Sequence, residues 1–277
     1  MKSSSFDYLR AREVPEALTA LAQGGSDAKL LAGGQSLGPM LNLRLARPKL
    51  LIDVSRIAAL KTIEEKPHSW SIGAAVTHAK MEDAKSTFHG AMMLGEVAAG
   101  IAYRGIRNRG TIGGSLAHAD PAADWPLALA TLAAVIHLRN AAGQTRLVPA
   151  DDFATTAFTT RLAEDEMIES VSVPKISSAG RYGYFKFCRK TGEFAEASAA
   201  VVFDPEHRTA RIFMGALSGA PRALHQLAEA IAQHGRSAVT SDTIATAVRH
   251  ADPNLDSVDV HLHATVVRRA IERAMVS

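Results

Sequence analysis

Two short segments of the chain each place a pair of glycines shortly before a serine. They read AGGQS at residues 32–36 and TIGGS at residues 111–115, and in each the glycines follow strand-forming residues, LLA at 30–32 and TI at 111–112. Glycine has no Cβ, so it can take a positive φ and lets another group approach the main chain closely. Consecutive N–H groups in such a turn, or at the start of a helix, can converge on an anion. The pairing of two such segments predicts a shared diphosphate ligand; taken singly, each glycine pair could be a tight turn only.

The common nucleotide-binding motifs do not occur in these segments. No G-x-G-x-x-G opens a helix, and no G-x-x-x-x-G-K-[ST] is present in the chain. The first pattern is typical of Rossmann dinucleotide sites and the second of P-loops. The sequence therefore disfavours both of these folds.

Composition limits the remaining classes of function. The chain has 277 residues, of which 47% are hydrophobic and 21% charged, as in a globular α+β or α/β protein of about two domains. The net charge is only +3 and the basic residues are scattered, so we expect no nucleic-acid partner. No run approaches the roughly 18 to 20 apolar residues of a membrane span. We therefore expect no span and a cytoplasmic location.

The number of cysteines excludes an iron–sulfur cluster within this chain. Cys188 is the single cysteine, whereas a cluster requires about four thiolates. Cys188 lies in a strand-like run, and we predict that it is a small buried apolar residue. His118, Asp120 and Asp124 have a weak spacing for metal ligands, so we predict no metal site. No side chain is predicted to act as acid, base or nucleophile.

Apolar periodicity predicts mixed secondary structure, with a boundary in the Ser- and Gly-rich residues 174–182. Before it, a helix begins at about Pro15 and ends at two glycines, and strands and short helices alternate. After it, three antiparallel strands are followed by two closing helices, at about 221–234 and 261–275. His261 and His263 are predicted to lie on the surface of the last helix.

Longer segments around the glycines carry a family resemblance. LLAGGQSLGPMLNLRLARPKLLIDVS at residues 30–55 and IRNRGTIGGSLAHADPAAD at 106–124 together resemble the FAD-binding medium subunit of the molybdenum hydroxylases. That group includes carbon monoxide dehydrogenase, xanthine dehydrogenase and quinoline oxidoreductase. YFKFCRKTGEFAEASAAVVF at 184–203 and VVRRAIERA at 266–274 extend the resemblance over the whole chain.

The resemblance implies an α+β fold. Residues 1–176 would form a vanillyl-oxidase (PCMH)-type FAD-binding domain of two α/β subdomains, at about 1–57 and 58–176. Residues 177–277 would form a C-terminal α+β domain of the carbon monoxide dehydrogenase flavoprotein type.

The resemblance also implies which residues bind FAD. In the family, both glycine loops wrap the FAD pyrophosphate, which corresponds here to Ala32, Gly33, Gly34, Gln35 and Ser36, and to Thr111, Gly113, Gly114 and Ser115.

Four further positions are implied by the same resemblance. Asp124 would bind ribityl or ribose hydroxyls, or alternatively cap a helix. Ile101 would pack on the adenine, or belong to the core. Lys186 would lie near the pyrimidine end of the flavin and stabilise negative charge there, or be a solvated strand lysine. Leu162 would face the flavin.

The implied function is that of one subunit of a multi-subunit molybdenum hydroxylase. A small partner subunit would carry 2Fe-2S clusters, a large partner would carry molybdopterin, and the assembly would be a dimer of heterotrimers. This chain would pass electrons from the clusters through FAD to an external acceptor. The alternatives are a stand-alone FAD-dependent reductase of related fold and a non-catalytic nucleotide-binding module.

Some points stay open at the level of sequence. Phe194 stands where an aromatic residue often lies beside the flavin, but its role is not assigned. Arg104, Arg107 and Arg109 could screen the phosphates from a distance, or could be solvated or lie between subunits. The substrate, the final acceptor (oxygen, NAD or a quinone) and the stoichiometry are also open.

Overall fold

The computed structural model describes residues 2–275, which form an α+β fold built around three main sheets. The helices are α1 Val14–Gly24, α2 Leu37–Asn42, α3 His78–Asp83, α4 Met93–Gly100, α5 Arg104–Arg107, α6 Ile112–His118, α7 Asp124–Thr131, α8 Ala150–Phe153, α9 His225–His234, α10 Ser241–Ala251 and α11 Ser257–Met275. The strands are β1 Asp7–Arg10, β2 Ala28–Leu31, β3 Leu50–Asp53, β4 Ile63–Glu65, β5 Ser69–Gly73, β6 Val135–Asn140, β7 Thr145–Pro149, β8 Ala154–Thr156, β9 Thr159–Thr160, β10 Glu166–Pro174, β11 Arg181–Phe187, β12 Ala197–Asp204, β13 Thr209–Gly215 and β14 Arg222–Ala223.

The first sheet is small and parallel, with strand order β1-β3-β2. Helix α1 packs on it through apolar residues at helical spacing, including Val14, Leu18 and Leu21. Pro15 lies in the first turn of α1, where its missing N–H is no loss. Gly25 ends the helix with a φ of 51°. The first glycine segment follows β2 directly, at the carboxyl edge of this sheet.

The second sheet is antiparallel, with strand order β4-β5-β10-β6-β7. One of its faces is covered by α4, α6 and α7, and the largest apolar cluster lies between them. Trp125 of α7 is fully buried in this cluster. Helices α6 and α7 are thereby fixed against the sheet, and they carry the second glycine segment and Asp124.

The third sheet, with order β11-β12-β13-β14, is buried on both faces. On β12, Ala200 and Val202 belong to the core shared with the second sheet, whereas Ala199 and Val201 belong to a core shared with α9, α10 and α11. Alternate residues of a strand point to opposite faces, which explains the continuous apolar run at 199–203. The third sheet therefore joins the C-terminal helices to the rest of the molecule.

The C-terminal helices differ from the sequence predictions. Three helices close the chain rather than two, because α10 was missed. Ile244, Ala247 and Val248 bury one face of α10, and Thr240 with Thr243 forms its capping box. Residues 222–223 are a short strand, so α9 begins only at residue 225, and α11 begins at residue 257.

Two single-residue predictions in this region are also wrong. His263 is buried at 3% exposure, because it lies on the face of α11 that packs into the C-terminal core. Cys188 is half-buried and follows the last residue of β11.

Within residues 2–275, no helix combines the length and apolar character needed to cross a lipid bilayer.

Contact between β11 and α11 depends on Gly183. A Cβ on Gly183 would overlap the carbonyl oxygen of Ala270, a main-chain atom that cannot move cheaply. We expect Gly183→Ala to lower the free energy of unfolding by about 1 to 3 kcal/mol, as overpacking does. Gly38→Ala is the control, since space around Gly38 is open and alanine favours helix by about 0.5 to 1 kcal/mol. Urea unfolding of both variants tests this, and equal stabilities would contradict it.

Candidate cofactor-binding site

A cavity of about 1070 Å³ opens between the first sheet, α6, and the loop that follows β11. Such a volume is at the upper end of small-molecule sites, which span roughly 300 to 1,000 Å³. Twelve of the thirteen candidate residues line it: Ala32, Gly33, Gly34, Gln35, Ser36, Ile101, Thr111, Gly113, Gly114, Ser115, Asp124 and Leu162. Lys186 is outside this lining.

The first glycine segment presents free main-chain donors. The N–H groups of Gly33, Gly34, Gln35 and Ser36 donate to no acceptor within residues 2–275. Gly34 has a φ of 72°, which glycine adopts readily. The side-chain amide of Gln35 donates to the carbonyl of Gly33 at 3.2 Å and spans the turn. Four successive unsatisfied N–H groups are the donor set that an anion requires.

The second glycine segment is built differently from its sequence prediction. It does not end a strand: Thr111 is the N-cap of α6, so both glycines lie in the first helical turn. Its N–H groups are already used, by Val76 O for Ile112 (3.1 Å), Ala74 O for Gly113 (2.9 Å), Thr111 Oγ1 for Gly114 (3.1 Å) and Thr111 O for Ser115 (3.0 Å). The prediction of a main-chain anion site is therefore wrong here. What this segment offers the cavity is the hydroxyls of Thr111 and Ser115.

A side chain at each of these glycines would meet a different part of the structure. A Cβ on Gly33 would overlap the carbonyl oxygen of Arg109, so the first segment touches the main chain of residues 109–110, just before the second segment. A Cβ on Gly113 would come within 2.5 Å of the Ala74 side chain. Gly114 is exposed, and a Cβ there would lie 2.9 Å from the Thr111 hydroxyl and 4.0 Å from the Cβ of Ala32. Gly33 and Gly113 thus permit packing, and Gly114 keeps the space between the segments open.

Arg107 holds the chain that leads into the second segment. Its guanidinium donates to the carbonyls of Ile101 and Ala102 at 2.9 and 2.7 Å, and it pairs with Glu82 at 2.9 Å. Ala102 has a φ of 43°, a conformation that these bonds help to hold. Arg107 therefore fixes the backbone at Ile101 on the cavity wall.

The two neighbouring arginines are also engaged within the protein. Arg104 forms ion pairs with Glu82 and Asp83, each at 2.7 Å. The Nε of Arg109 lies 3.4 Å from the carbonyl oxygen of Gly33, beside the contact between the two segments. Glu82 and Asp83 of α3 balance the positive charge of Arg104, and these ion pairs hold α3 against α5.

Asp124 lies at the centre of a buried polar cluster. It is 7% exposed, and its Oδ1 accepts from the Tyr184 hydroxyl at 2.5 Å and lies 2.9 Å from Lys186 Nζ. Burial, together with the charge of Asp124, raises the pKa of Tyr184 well above its usual value. The N-cap of α7 is Ala123, and the side chain of Asp124 makes no cap. The helix-capping alternative for Asp124 is therefore wrong.

Lys186 is not a solvated strand residue. Its side chain is 9% exposed, and besides facing Asp124 it donates to the carbonyl of Gly100 at 3.0 Å. Lys186 thus ties β11 to α7 and to the end of α4. It lies behind Asp124 as seen from the cavity.

The apolar candidates lie on the cavity wall. Ile101 and Leu162 are half-buried and pack against the largest core, so each has both a core side and a cavity side. Phe194 is 64% exposed in the loop after β11, which also lines the cavity. In that loop, Gly192 lies against the carbonyl of Ala102, where a Cβ would come within 2.9 Å. The loop after β11 therefore forms the cavity wall next to Ile101.

His78 is a cavity residue that the sequence did not reveal. Its Nδ1 accepts from the Trp125 indole at 3.1 Å, and its main-chain N–H donates to the carbonyl of Gly110 at 2.9 Å. Burial, and then the charge of Arg107, lower the pKa of His78 to about 4, so it is neutral near pH 7. The segment THAK carries no local signal for this role, because both partners come from distant parts of the chain.

Comparison with known proteins accounts for this arrangement. The model of the FAD binding domain in molybdopterin dehydrogenase matches residues 4–176. The chain belongs to this family. It is 39% identical to the 6-hydroxypseudooxynicotine dehydrogenase complex subunit alpha of Paenarthrobacter nicotinovorans, over 99% of this chain and 95% of that one. It is also 39% identical to the carbon monoxide dehydrogenase medium chain of Hydrogenophaga pseudoflava, over 80% and 77%.

A solved structure agrees over the whole chain. Carbon monoxide dehydrogenase from Hydrogenophaga pseudoflava, in a form that lacks the Mo-pyranopterin moiety, superposes with a TM-score of 0.90 at 33% identity and covers 99% of both chains. The predicted α+β fold class is confirmed, as is the resemblance to the FAD-binding medium subunit of molybdenum hydroxylases. This chain of the molybdopterin dehydrogenase family is an oxidoreductase subunit, and its relatives are subunits of multi-subunit enzymes.

The buried neutral His78 makes stability depend on pH. In the unfolded chain its pKa returns to about 6.5, so the unfolded state binds more protons between pH 6.5 and 4. Neutral His78 therefore contributes about 3 kcal/mol at most to the free energy of unfolding. This contribution is fully present above about pH 6.5 and is lost as the pH falls to about 4. Urea unfolding between pH 4 and 7 measures it. His78→Gln keeps an acceptor for Trp125 without titrating and should show a shallower slope; an equal slope would contradict the assignment.

Proposed function

We propose that the cavity holds FAD and that the chain passes electrons through it as the flavin subunit of a heterotrimeric molybdenum hydroxylase. The observation that carries this proposal is the row of free N–H groups at residues 33–36, which line the cavity together with residues of the second glycine segment. A diphosphate supplies the several oxygens that such donors require. The family of the chain supports the same ligand.

The lining of the cavity fits the parts of a dinucleotide. The N–H groups of residues 33–36 would hold the pyrophosphate, with the hydroxyls of Thr111 and Ser115 beside them. Oδ2 of Asp124 would accept from ribityl or ribose hydroxyls. Ile101 would pack on the adenine, and Leu162 would face the flavin. Ile101 and Leu162 are half-buried apolar residues, which suits contact with the rings of the cofactor. Asp124 is a buried carboxylate, which suits an acceptor for hydroxyls.

FAD, when bound, supplies a centre that can take up electrons one at a time and release two. The side chains of this protein would bind and orient the cofactor and exclude water from it, without acting as acid, base or nucleophile. The ammonium of Lys186 is balanced by Asp124 at 2.9 Å. We infer that Lys186 influences the flavin mainly through that carboxylate rather than as a free charge.

The relatives support the proposal of partner subunits, because they are subunits of multi-subunit enzymes. Cys188 is the single cysteine of the sequence and cannot by itself hold a 2Fe-2S cluster, so in this proposal the clusters lie outside it. We propose a small 2Fe-2S subunit and a large molybdopterin-binding subunit, assembled as a dimer of heterotrimers in the cytoplasm. The large subunit would hydroxylate an aldehyde, an N-heterocycle or carbon monoxide. Within this chain, the FAD-binding domain would end at about residue 176, with subdomains meeting at about residue 57.

Isolation of the chain with its natural partners tests this function. A tagged chain recovered from its own cells should bring two further polypeptides, with FAD, iron and molybdenum in fixed ratios. Addition of the substrate of the complex should bleach the visible absorption of the flavin. A lone chain that oxidises NADPH with a small substrate would indicate a stand-alone reductase instead. A chain without visible flavin absorption after reconstitution would indicate a non-catalytic module.

Gly114 offers a direct test of the cofactor position. Gly114→Val would place a branched side chain in the space between the two glycine segments, beside Ala32 and the Thr111 hydroxyl. We expect the variant to fold and to bind FAD at least about tenfold more weakly, a loss of about 1.4 kcal/mol. Titration with FAD, followed by quenching of flavin fluorescence, measures the affinity.

The control for this substitution is Gly105→Val. Gly105 has open space around it and does not line the cavity, so the affinity for FAD should be unchanged. Circular dichroism should show both variants to be folded. Wild-type affinity in Gly114→Val would contradict the placement of the pyrophosphate beside the second segment.

A further inference from the structure

The phenol of Tyr184 is a buried group that the proposed electron transfer does not use directly. We propose that Tyr184 is a positioning residue: it holds the Asp124 carboxylate so that one oxygen stays free for the hydroxyls of FAD. This inference rests on the proposed function, since it assigns how the C-terminal part of the chain completes the same site. Tyr184 itself does not line the cavity.

The geometry at Asp124 is asymmetric. The Tyr184 hydroxyl donates to Oδ1 at 2.5 Å, and Lys186 Nζ lies 2.9 Å from the same atom. Within residues 2–275, no donor reaches Oδ2, and Asp124 lines the cavity. A carboxylate has about four lone-pair sites on two oxygens. Two internal donors therefore fix one oxygen and leave the other as an acceptor for a ligand.

The spacing on β11 explains why two donors converge. Tyr184 and Lys186 are two residues apart on a strand, so their side chains leave the same face of the sheet. Tyr184 is 6% exposed within the largest core, where a phenol needs a hydrogen-bond partner. Asp124 is the partner that it meets. The rigid strand, rather than a mobile loop, thus sets the direction of the carboxylate.

Neighbouring elements hold Tyr184 in turn. Arg273 of α11 donates to the main-chain carbonyl of Tyr184 at 2.5 Å and lies 3.4 Å from Glu96 of α4. The titratable and charged groups that face the pair of Asp124 and Tyr184 are Lys186 and Cys188 from the β11 side, Glu96, and Arg273. The Asp124 carboxylate, in the N-terminal part of the chain, is therefore oriented by Tyr184 and its neighbours from the C-terminal part.

A Tyr184→Phe variant removes the donor and keeps the ring. We expect the full chain, in its assembled complex freed of flavin, to bind FAD about three- to tenfold more weakly than wild type. Tyr182→Phe is the matched control, because Tyr182 lies on the same face of β11, whereas the hydroxyl that donates to Asp124 is that of Tyr184. Its affinity for FAD should equal that of wild type.

A double-mutant cycle separates positioning from loss of packing. In an Asp124→Asn background, Tyr184→Phe should change FAD affinity by less than about twofold, because the two residues act as a unit. A general packing defect would weaken FAD binding to the same extent in both backgrounds and would show no such coupling.

The outcomes distinguish this inference from the proposed function. If wild type binds FAD and Tyr184→Phe binds it equally well, the positioning role is wrong and the flavin function stands. Additive effects of the Tyr184 and Asp124 substitutions would also overturn the positioning role. If wild type binds no FAD, the proposed function itself fails.

Discussion

Direct main-chain contact between the first glycine segment and residues 109–110, just before the second, is the constraint on which the rest of the site depends. Gly33 lies against the carbonyl of Arg109, and any side chain at Gly33 would push the two main chains apart. The contact joins the small parallel sheet to the residues that lead into α6, and the four N–H groups without an internal acceptor belong to residues that line the cavity. Backbone atoms cannot adjust as side chains do, so this geometry is set before any ligand arrives. Preformed donors of this kind bind an anion without the cost of ordering a loop.

The two segments look alike in sequence and differ in physical role. Each has two glycines and a serine, yet only residues 33–36 keep free N–H groups, whereas those of residues 112–115 are satisfied. Thr111 accepts from Gly114 and Ser115, and Val76 and Ala74, which follow β5, accept from Ile112 and Gly113. Acceptors nearly forty residues away in the chain cannot be inferred from local sequence. Twelve of the thirteen residues named from the sequence line one cavity, whereas the free N–H groups expected of the second segment are already bonded.

Local signals explain which parts of the fold were predictable. Helix α1 has proline at its start and glycine at its end, and the strands around the first segment have continuous apolar runs. Helix α10 was missed although Ile244, Ala247 and Val248 have helical spacing, because its capping box uses Thr243 where glutamate or glutamine is usual. The burial of His263 depends on how α11 packs against the third sheet, which periodicity alone did not settle.

Tertiary packing brings together Asp124 and Lys186, two residues to which the sequence analysis gives separate roles. Each was assigned its own contact with the cofactor, yet they form one buried ion pair. Removing one partner of such a pair leaves the other charge uncompensated, which is far costlier than loss of a surface contact. The pair also presents no net charge, so its free oxygen suits neutral hydroxyls better than another cation or anion. Through Lys186 and Tyr184, the third sheet contacts Asp124 on the cavity wall, although neither of the two residues lines the cavity.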